Sequence, residues 1–261
     1  MTKSEFTALT VDHLTVNYDR ISVLWDISFS VPQGNLVAII GPNGAGKSTF
    51  IKAILGLTPS LSGQMHILGQ PSQKQLRKVA YLSQRENIDW NFPITVLELV
   101  LQGRYPKLKW FKRVSKEDRK AALEALDWVG MVDYASRQIS QLSIGQQQRI
   151  FLARALLLDA DLYFMDEPFS GVDSVTEKFL FTFLKTLKDK GKTIFVVHHD
   201  IHSVPEHFDW VMMVNVRLVT CGPISTHFTQ ENLNQTFGQQ TNIFEEVFSL
   251  AHQKKLGMGP S

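Results

Sequence analysis

One stretch constrains this chain more than any other: LVAIIGPNGAGKSTF, from Leu36 to Phe50. Leu36 to Ile40 is a continuous apolar run with the length of one buried strand. Gly41 to Gly46 is a glycine-punctuated loop, and Lys47 with Ser48 opens a helix. A loop of this composition curls so that successive N–H groups, from about Asn43 to Ser48, point at one centre. The dipole of the helix that follows adds positive potential there. A phosphate suits that centre: Lys47 reaches the β- and γ-phosphates of a nucleotide, and the Ser48 hydroxyl is placed to ligate magnesium.

Composition narrows the setting. A chain of 261 residues has ample length for a sizeable core. A formal net charge of +2 and a pI near 8.6, with Lys and Arg scattered rather than gathered in a stripe, do not imply nucleic acid. The single Cys221 excludes an internal disulfide and fits a reducing compartment, with the cytoplasm as the expectation. Met1 to Thr10 lacks the basic-then-apolar pattern of a signal peptide, and no window approaches the ~20 apolar residues of a membrane span. A membrane role is therefore expected to come through a partner.

Along the chain, Leu9 to Val31 alternates apolar and polar residues, as antiparallel strands with one solvated face do. Tyr18 ends one such strand ahead of the loop, where its ring either stacks on an adenine or serves as an ordinary strand aromatic. After Ser48 a helix is expected to about Leu57, stopping near Pro59, and a short strand follows around Met65 to Ile67. Val79 to Ser83 reads as a buried strand with Gln84 at its end, where α/β sheets place ligand groups or merely a surface residue. Thr95 with Glu98, and Ser115 with Asp118, are capping boxes that open two helices. Between them GRYPKLKWFKRV is basic and aromatic together, a candidate patch for nucleic acid or anionic lipid but more in keeping with a loop touching a partner protein.

Farther on, Gln141 to Gln146 precedes a helix bearing Ile150, Ala153, Leu156 and Leu157, so Ser143 and Gly145 lie at a second helix start with exposed N–H groups. Leu162 to Met165 is a buried strand delivering Asp166, read as facing magnesium, and Glu167, read as facing an attacking water. Asp173 opens a helix with Phe179, Leu180, Phe183, Leu184 and Leu187 on its buried side, closed by Gly191. Thr193 to Val197 is again a strand, delivering His198, His199 and Asp200. The i,i+4 spacing of His198 and His202 is that of half a zinc site, with no cysteine or acidic cluster near it to complete the set. A hairpin over Trp210 to Cys221 and a helix around Gln230 to Phe237 follow, and residues after about Gln240 read as a polar tail.

In this order the pieces resemble the nucleotide-binding subunit of ATP-binding cassette (ABC) transporters over nearly the whole chain. Gly41 to Ser48 resembles the Walker A motif, Gln84 the Q-loop and Leu142 to Gln146 the signature motif. LYFMDE at Leu162 to Glu167 resembles Walker B with its catalytic glutamate. Ser170 to Asp173 matches the D-loop, His199 the switch histidine and Tyr18 the A-loop aromatic. Ile144 departs from the usual glycine of LSGGQ, and SGVD replaces the commoner SALD. The resemblance implies an α/β P-loop NTPase core with an antiparallel β layer (about 1–84 and 160–240), a helical subdomain (about 85–159) and a tail (about 241–261).

It also implies ATP and Mg2+. ATP is held by Tyr18, Gly41, Asn43, Gly44, Ala45, Gly46, Lys47, Ser48 and Thr49 of one copy, and by Ser143, Gly145 and Gln146 of a second in the closed homodimer. Mg2+ is held by Ser48, Gln84 and Asp166, and Glu167, His199, Lys47 and Gln84 serve catalysis. The partners implied are an integral membrane permease and, indirectly, a metal-binding solute-binding protein, with no nucleic acid and with the chain peripheral on the inner face of the membrane. The run Gln84 to Arg104, with WNFPITV at its centre, looks like bacterial importers of manganese, zinc or iron(II). There the segment meets the permease, which gives Trp90 and Phe92 a reason to lie in a loop beside the alternative of core packing. Siderophore, haem or cobalamin importers are the next resemblance. Repair and translation ATPases of the family lack support, because Gly46 to Ser143 spans one ordinary helical segment and the chain has one Walker A loop.

Overall fold

Two wholly apolar runs organise the first part of the structure. The computed structural model describes residues 7–19, 21–84, 89–108 and 113–238. Arg85–Ile88, Lys109–Lys112 and the expected tail after Gln240 therefore lie outside the described residues, as do parts of the WNFPITV-bearing and basic-aromatic segments. The chain divides into two compact units, one of residues up to Leu76 together with those from Leu184, the other Arg77–Phe183.

The first unit begins with β1 (Thr7–Tyr18) and β2 (Ile21–Pro32), which pair antiparallel, followed by β3 (Leu36–Ile40) and α1 (Lys47–Ile54). Next come β4 (Ser62–Ile67), β5 (Gln70–Pro71) and the single turn α2 (Ser72–Gln75), completing an antiparallel sheet of order β2-β1-β4-β5. Helix α1 ends at Ile54, three residues short of the sequence expectation. Gly56, at φ 70°, closes the turn through Gly56 N to Ala53 O, so the stop is a left-handed glycine cap and not Pro59.

The second unit holds β6 (Val79–Leu82), α3 (Val96–Leu101), α4 (Lys116–Trp128), α5 (Ile144–Leu158), β7 (Leu162–Asp166) and the start of α6 (Ser174–Asp189), within which the division falls. Both expected capping boxes form: Thr95 with Glu98 and Ser115 with Asp118 exchange side-chain and backbone bonds. Each such cap contributes about 1 kcal/mol to its helix. Strands β6 and β7 run parallel in the register Leu82↔Met165, which brings the residues after them to one end.

The chain returns to the first unit with β8 (Thr193–Val197), the short α7 (Val204–His207), β9 (Trp210–Asn215), β10 (Arg217–Pro223), the single turn α8 (Ile224–His227) and α9 (Gln230–Phe237). β3 lies between β8 and β9, parallel to both, and β10 joins β9 as an antiparallel hairpin. Every residue of β3 and of β8 is buried, as expected of a strand covered on both faces. Asp209 anchors the start of β3: Oδ2 accepts from Leu36 N at 3.0 Å, while Oδ1 receives the Lys188 ammonium at 2.6 Å.

Candidate active site

In the first unit the site is built from the ends of β3, β8 and β1. The loop after β3 turns on a Pro42 O to Ala45 N bond of 3.1 Å, and Gly46 takes φ 94° at the start of α1. A β-carbon at Gly46 would meet Leu24 Cδ2 at 2.5 Å and Val23 O at 2.8 Å, so the position excludes a side chain on both conformation and space. The β9–β10 turn steadies the loop from the other side. Val216 N donates to Ala45 O at 3.2 Å, and the Val214 carbonyl fills the space a Gly41 side chain would need. No side chain caps α1 and its first turn carries no acid. Its N-terminal donors are thus not occupied by a cap, as an anion site requires.

Lys47 is buried, and its ammonium donates to Gly41 O at 2.8 Å and Pro42 O at 2.9 Å, which lays the cation across the mouth of the loop. Asn43 and Gly44 are exposed, Ser48 and Thr49 half-buried. Tyr18 closes β1 with its ring about half exposed and its hydroxyl 3.4 Å from Thr58 Oγ1. That bond is the main cause of the lowered Tyr18 pKa, with Thr49 and the Lys52 charge acting in the same direction. The hydroxyl is thereby set against Thr58, past the end of α1, while about half of the side chain stays exposed, a disposition suited to stacking on a base.

Strand β8 ends level with β3 (Ile39↔Val197), so His199 emerges at the same sheet end as the loop, exposed. His198 is buried instead. Its Nε2 lies 2.6 Å from Ser203 Oγ, and burial lowers its pKa to about 4. The zinc half-site considered for His198 and His202 does not form, because that nitrogen is committed to Ser203. Among the described residues no three metal-binding side chains cluster.

In the second unit, β6 delivers Gln84 and β7 delivers Asp166 and Glu167. Gln84 Nε2 donates to Glu167 Oε1 at 2.7 Å, a contact that sequence reading missed because neither motif refers to the other. The bond turns the amide nitrogen toward the acid and leaves its oxygen to face elsewhere. Glu167 takes φ 54°, a left-handed conformation in a non-glycine residue, as the chain turns through a Ser170 N to Glu167 O bond. Asp166 is buried at the strand end, and burial of the Tyr81 phenol, aided by the Asp166 charge, raises the Tyr81 pKa to about 12.

The signature segment forms the start of α5. Ser143 is its N-cap in a full capping box: Ser143 N donates to Gln146 Oε1 at 2.9 Å, and Gln146 N to Ser143 Oγ at 3.4 Å. Gly145 has a structural reason to be glycine, since a β-carbon there would stand 2.9 Å from Thr176 Oγ1 of α6. Thr176 N is in turn held by Asp173 Oδ1 at 2.7 Å. Ile144 is exposed, with Gly171 beside its side chain. Trp90 packs edge-on against Phe151 of α5, the core-packing alternative, whereas Phe92 is exposed.

The chemistry of these donors fits magnesium and a triphosphate. In the first unit Ser48 carries a hydroxyl oxygen, and in the second Gln84 and Asp166 carry amide and carboxylate oxygens, each a hard donor of the kind magnesium takes; the loop of the first unit carries N–H groups and one ammonium of the kind that suits phosphate oxygens.

Comparison with known proteins shows the family. The profile described as "ABC transporter" matches residues 24–170. The chain is 52% identical to the zinc transport system ATP-binding protein TroB of Treponema pallidum, over 88% of this chain and 87% of that one. It is 50% identical to the manganese transport system ATP-binding protein MntB of Bacillus subtilis, over 94% and 98%. Among solved structures, a dimeric bacterial ABC transporter cassette superposes with a TM-score of 0.74 at 28% identity, covering 83% of this chain and 98% of that one.

Proposed function

This chain belongs to the ABC transporter family as an ATP-hydrolysing subunit, and on that premise we propose that it powers uptake of a divalent metal ion, manganese first, with zinc and iron(II) next. The observation carrying the metal is the similarity to a manganese system and a zinc system, each over most of both chains. The WNFPITV run points the same way. Among the described residues no helix is long and apolar enough to cross a membrane, so passage of the ion falls to a permease partner. Exposed Phe92 is the apolar side chain of that run available to meet it.

Each residue has a proposed role. Tyr18 stacks on adenine. The N–H groups of Gly41 and of Asn43 to Thr49, Gly44, Ala45 and Gly46 among them, receive the phosphates, and Lys47 exchanges its two carbonyl partners for phosphate oxygens. Glu167, held by Gln84, orients or deprotonates the attacking water, and His199 holds the γ-phosphate. Ser48, Gln84 and Asp166 would hold Mg2+, which neutralises phosphate charge when bound. Phosphoryl transfer is largely positioning and charge stabilisation, so each of these groups acts by being in place before the bond breaks. Ser143, Gly145 and Gln146 serve the nucleotide of a second copy. Closure of the homodimer is favoured because the γ-phosphate interacts with both copies only when they are closed. Residues 1–84 and 160–240 form the nucleotide core in this reading, and 85–159 the subdomain that faces the permease.

The test is accumulation of manganese, zinc and iron in a strain lacking this chain. Loss of manganese uptake, restored by the wild-type chain and not by Glu167→Gln, is the expected result. Unchanged accumulation of all three metals would overturn the metal assignment.

A further inference from the structure

We propose that His198 and Ser203 form a clamp that positions His199, fixing the turn after β8 against the strand that feeds the phosphate loop. The inference rests on the reading that His199 holds the γ-phosphate and adds two residues that touch no nucleotide.

Side chains alternate along an extended chain, so adjacent residues at the end of β8 face opposite ways. His198 is 3% exposed and His199 exposed. The backbone of His198 is fixed first. Its N–H donates to Ile39 O at 3.1 Å, carrying the β3–β8 pairing to within two residues of Gly41. The ring is fixed next, 5.3 Å from the ring of Phe208 and with Nε2 2.6 Å from Ser203 Oγ.

The Ser203 hydroxyl donates to Asp200 O at 3.1 Å. A hydroxyl has one proton, and with that proton spent on Asp200 the oxygen can only accept from His198. The imidazole therefore carries its proton on Nε2. Two further links close the turn: Ser203 N to Asp200 O at 3.3 Å, and His202 N to Asp200 Oδ1 at 3.0 Å. Burial, which lowers the His198 pKa, keeps the ring neutral at ordinary pH and the donor arrangement constant.

The consequence falls on His199, which is exposed at the sheet end that carries the loop after β3 and lies between residues held by these bonds. A group that must meet a γ-phosphate has to be held to within about half an ångström, and a supporting shell of this kind supplies that constraint. Neither threonine nor serine in place of His198 would span from the β8 core to Ser203. Glutamine would, because its terminal N–H reaches about as far as Nε2.

Single-turnover and steady-state ATP hydrolysis by the full chain tests the clamp, with Ser203→Ala, His198→Phe and His198→Gln each made alone and in the His199→Ala background. Ser203→Ala and His198→Phe are expected to lower kcat by roughly 10- to 100-fold, the scale of a misplaced catalytic group, while the KM for ATP stays within about threefold. His198→Gln is expected to keep kcat within about threefold. In the His199→Ala background Ser203→Ala should cost nothing further, as for residues acting through one group. Wild-type kcat for Ser203→Ala, or an equal loss with His199 already removed, overturns the clamp alone. Wild-type turnover by His199→Ala overturns the reading of His199 itself, and the clamp with it. Ser203→Ala removes no buried apolar group, so it keeps the test available should His198→Phe fail to fold.

Discussion

Two helix starts in this molecule look alike in sequence and are built in opposite ways. Helix α1 begins at Gly46, in a left-handed conformation, with no side-chain cap and no acid in its first turn, and with a buried lysine as its first residue. Helix α5 begins at Ser143, in an extended conformation, with a capping box that already occupies the Gln146 N–H and reaches back to Ser143 N. The first is open to a phosphate and brings its own cation. The second has spent part of its donor capacity on itself and has no basic residue beside it until Arg149. In the proposed reading one is an anion site in itself, and the other half of a site, which contributes when a nucleotide held elsewhere is brought to it.

The comparison is broken most severely by removing the cation. Lys47→Met should weaken ATP binding roughly 100-fold, the scale of a lost charge-assisted interaction, with the helix start otherwise intact. Equilibrium binding of a fluorescent ATP analogue reads the effect, and an affinity within a factor of three of wild type would show that α1 does not depend on its lysine. The cap of α5 is expected to matter less and differently. Ser143→Ala should cost about 1 kcal/mol of stability, seen as a melting temperature lower by about 2–4 °C, with ATP affinity of the isolated chain unchanged. A large loss of ATP affinity would mean that α5 serves the nucleotide of its own chain.

The open helix start was legible in the sequence because its chemistry is local. The glycines, lysine and serine of 41–48 are contiguous, and their spacing alone specifies a loop that receives phosphate. The capping boxes at Thr95 and Ser115 were legible for the same reason, each being a pair three residues apart; the box at Ser143, where the sequence reads as a helix start with exposed N–H groups, was not. What the sequence concealed is long-range. Gln84 and Glu167 meet because β6 and β7 are in register, not because of anything near either residue. Gly145 reads as a phosphate-facing glycine and is equally demanded by Thr176, thirty-one positions away. His198 suggested a zinc ligand by its spacing to His202, whereas its partner is Ser203, a residue with no motif to mark it. Helix α1 is shorter than its sequence implies because Gly56, by its positive φ, ends it before Pro59 is reached.

The central claim is that α5 completes a site on another copy of the chain. Glu167→Gln is expected to hold ATP without turning it over, so with ATP and magnesium it should elute and scatter at about twice the 29.6 kDa of one chain. Adding Ser143→Arg to that variant places a bulky cation at the start of α5. The double variant is predicted to bind ATP with unchanged affinity yet remain at the mass of one chain. A dimer that persists, or ATP binding lost from the monomer, would contradict the claim.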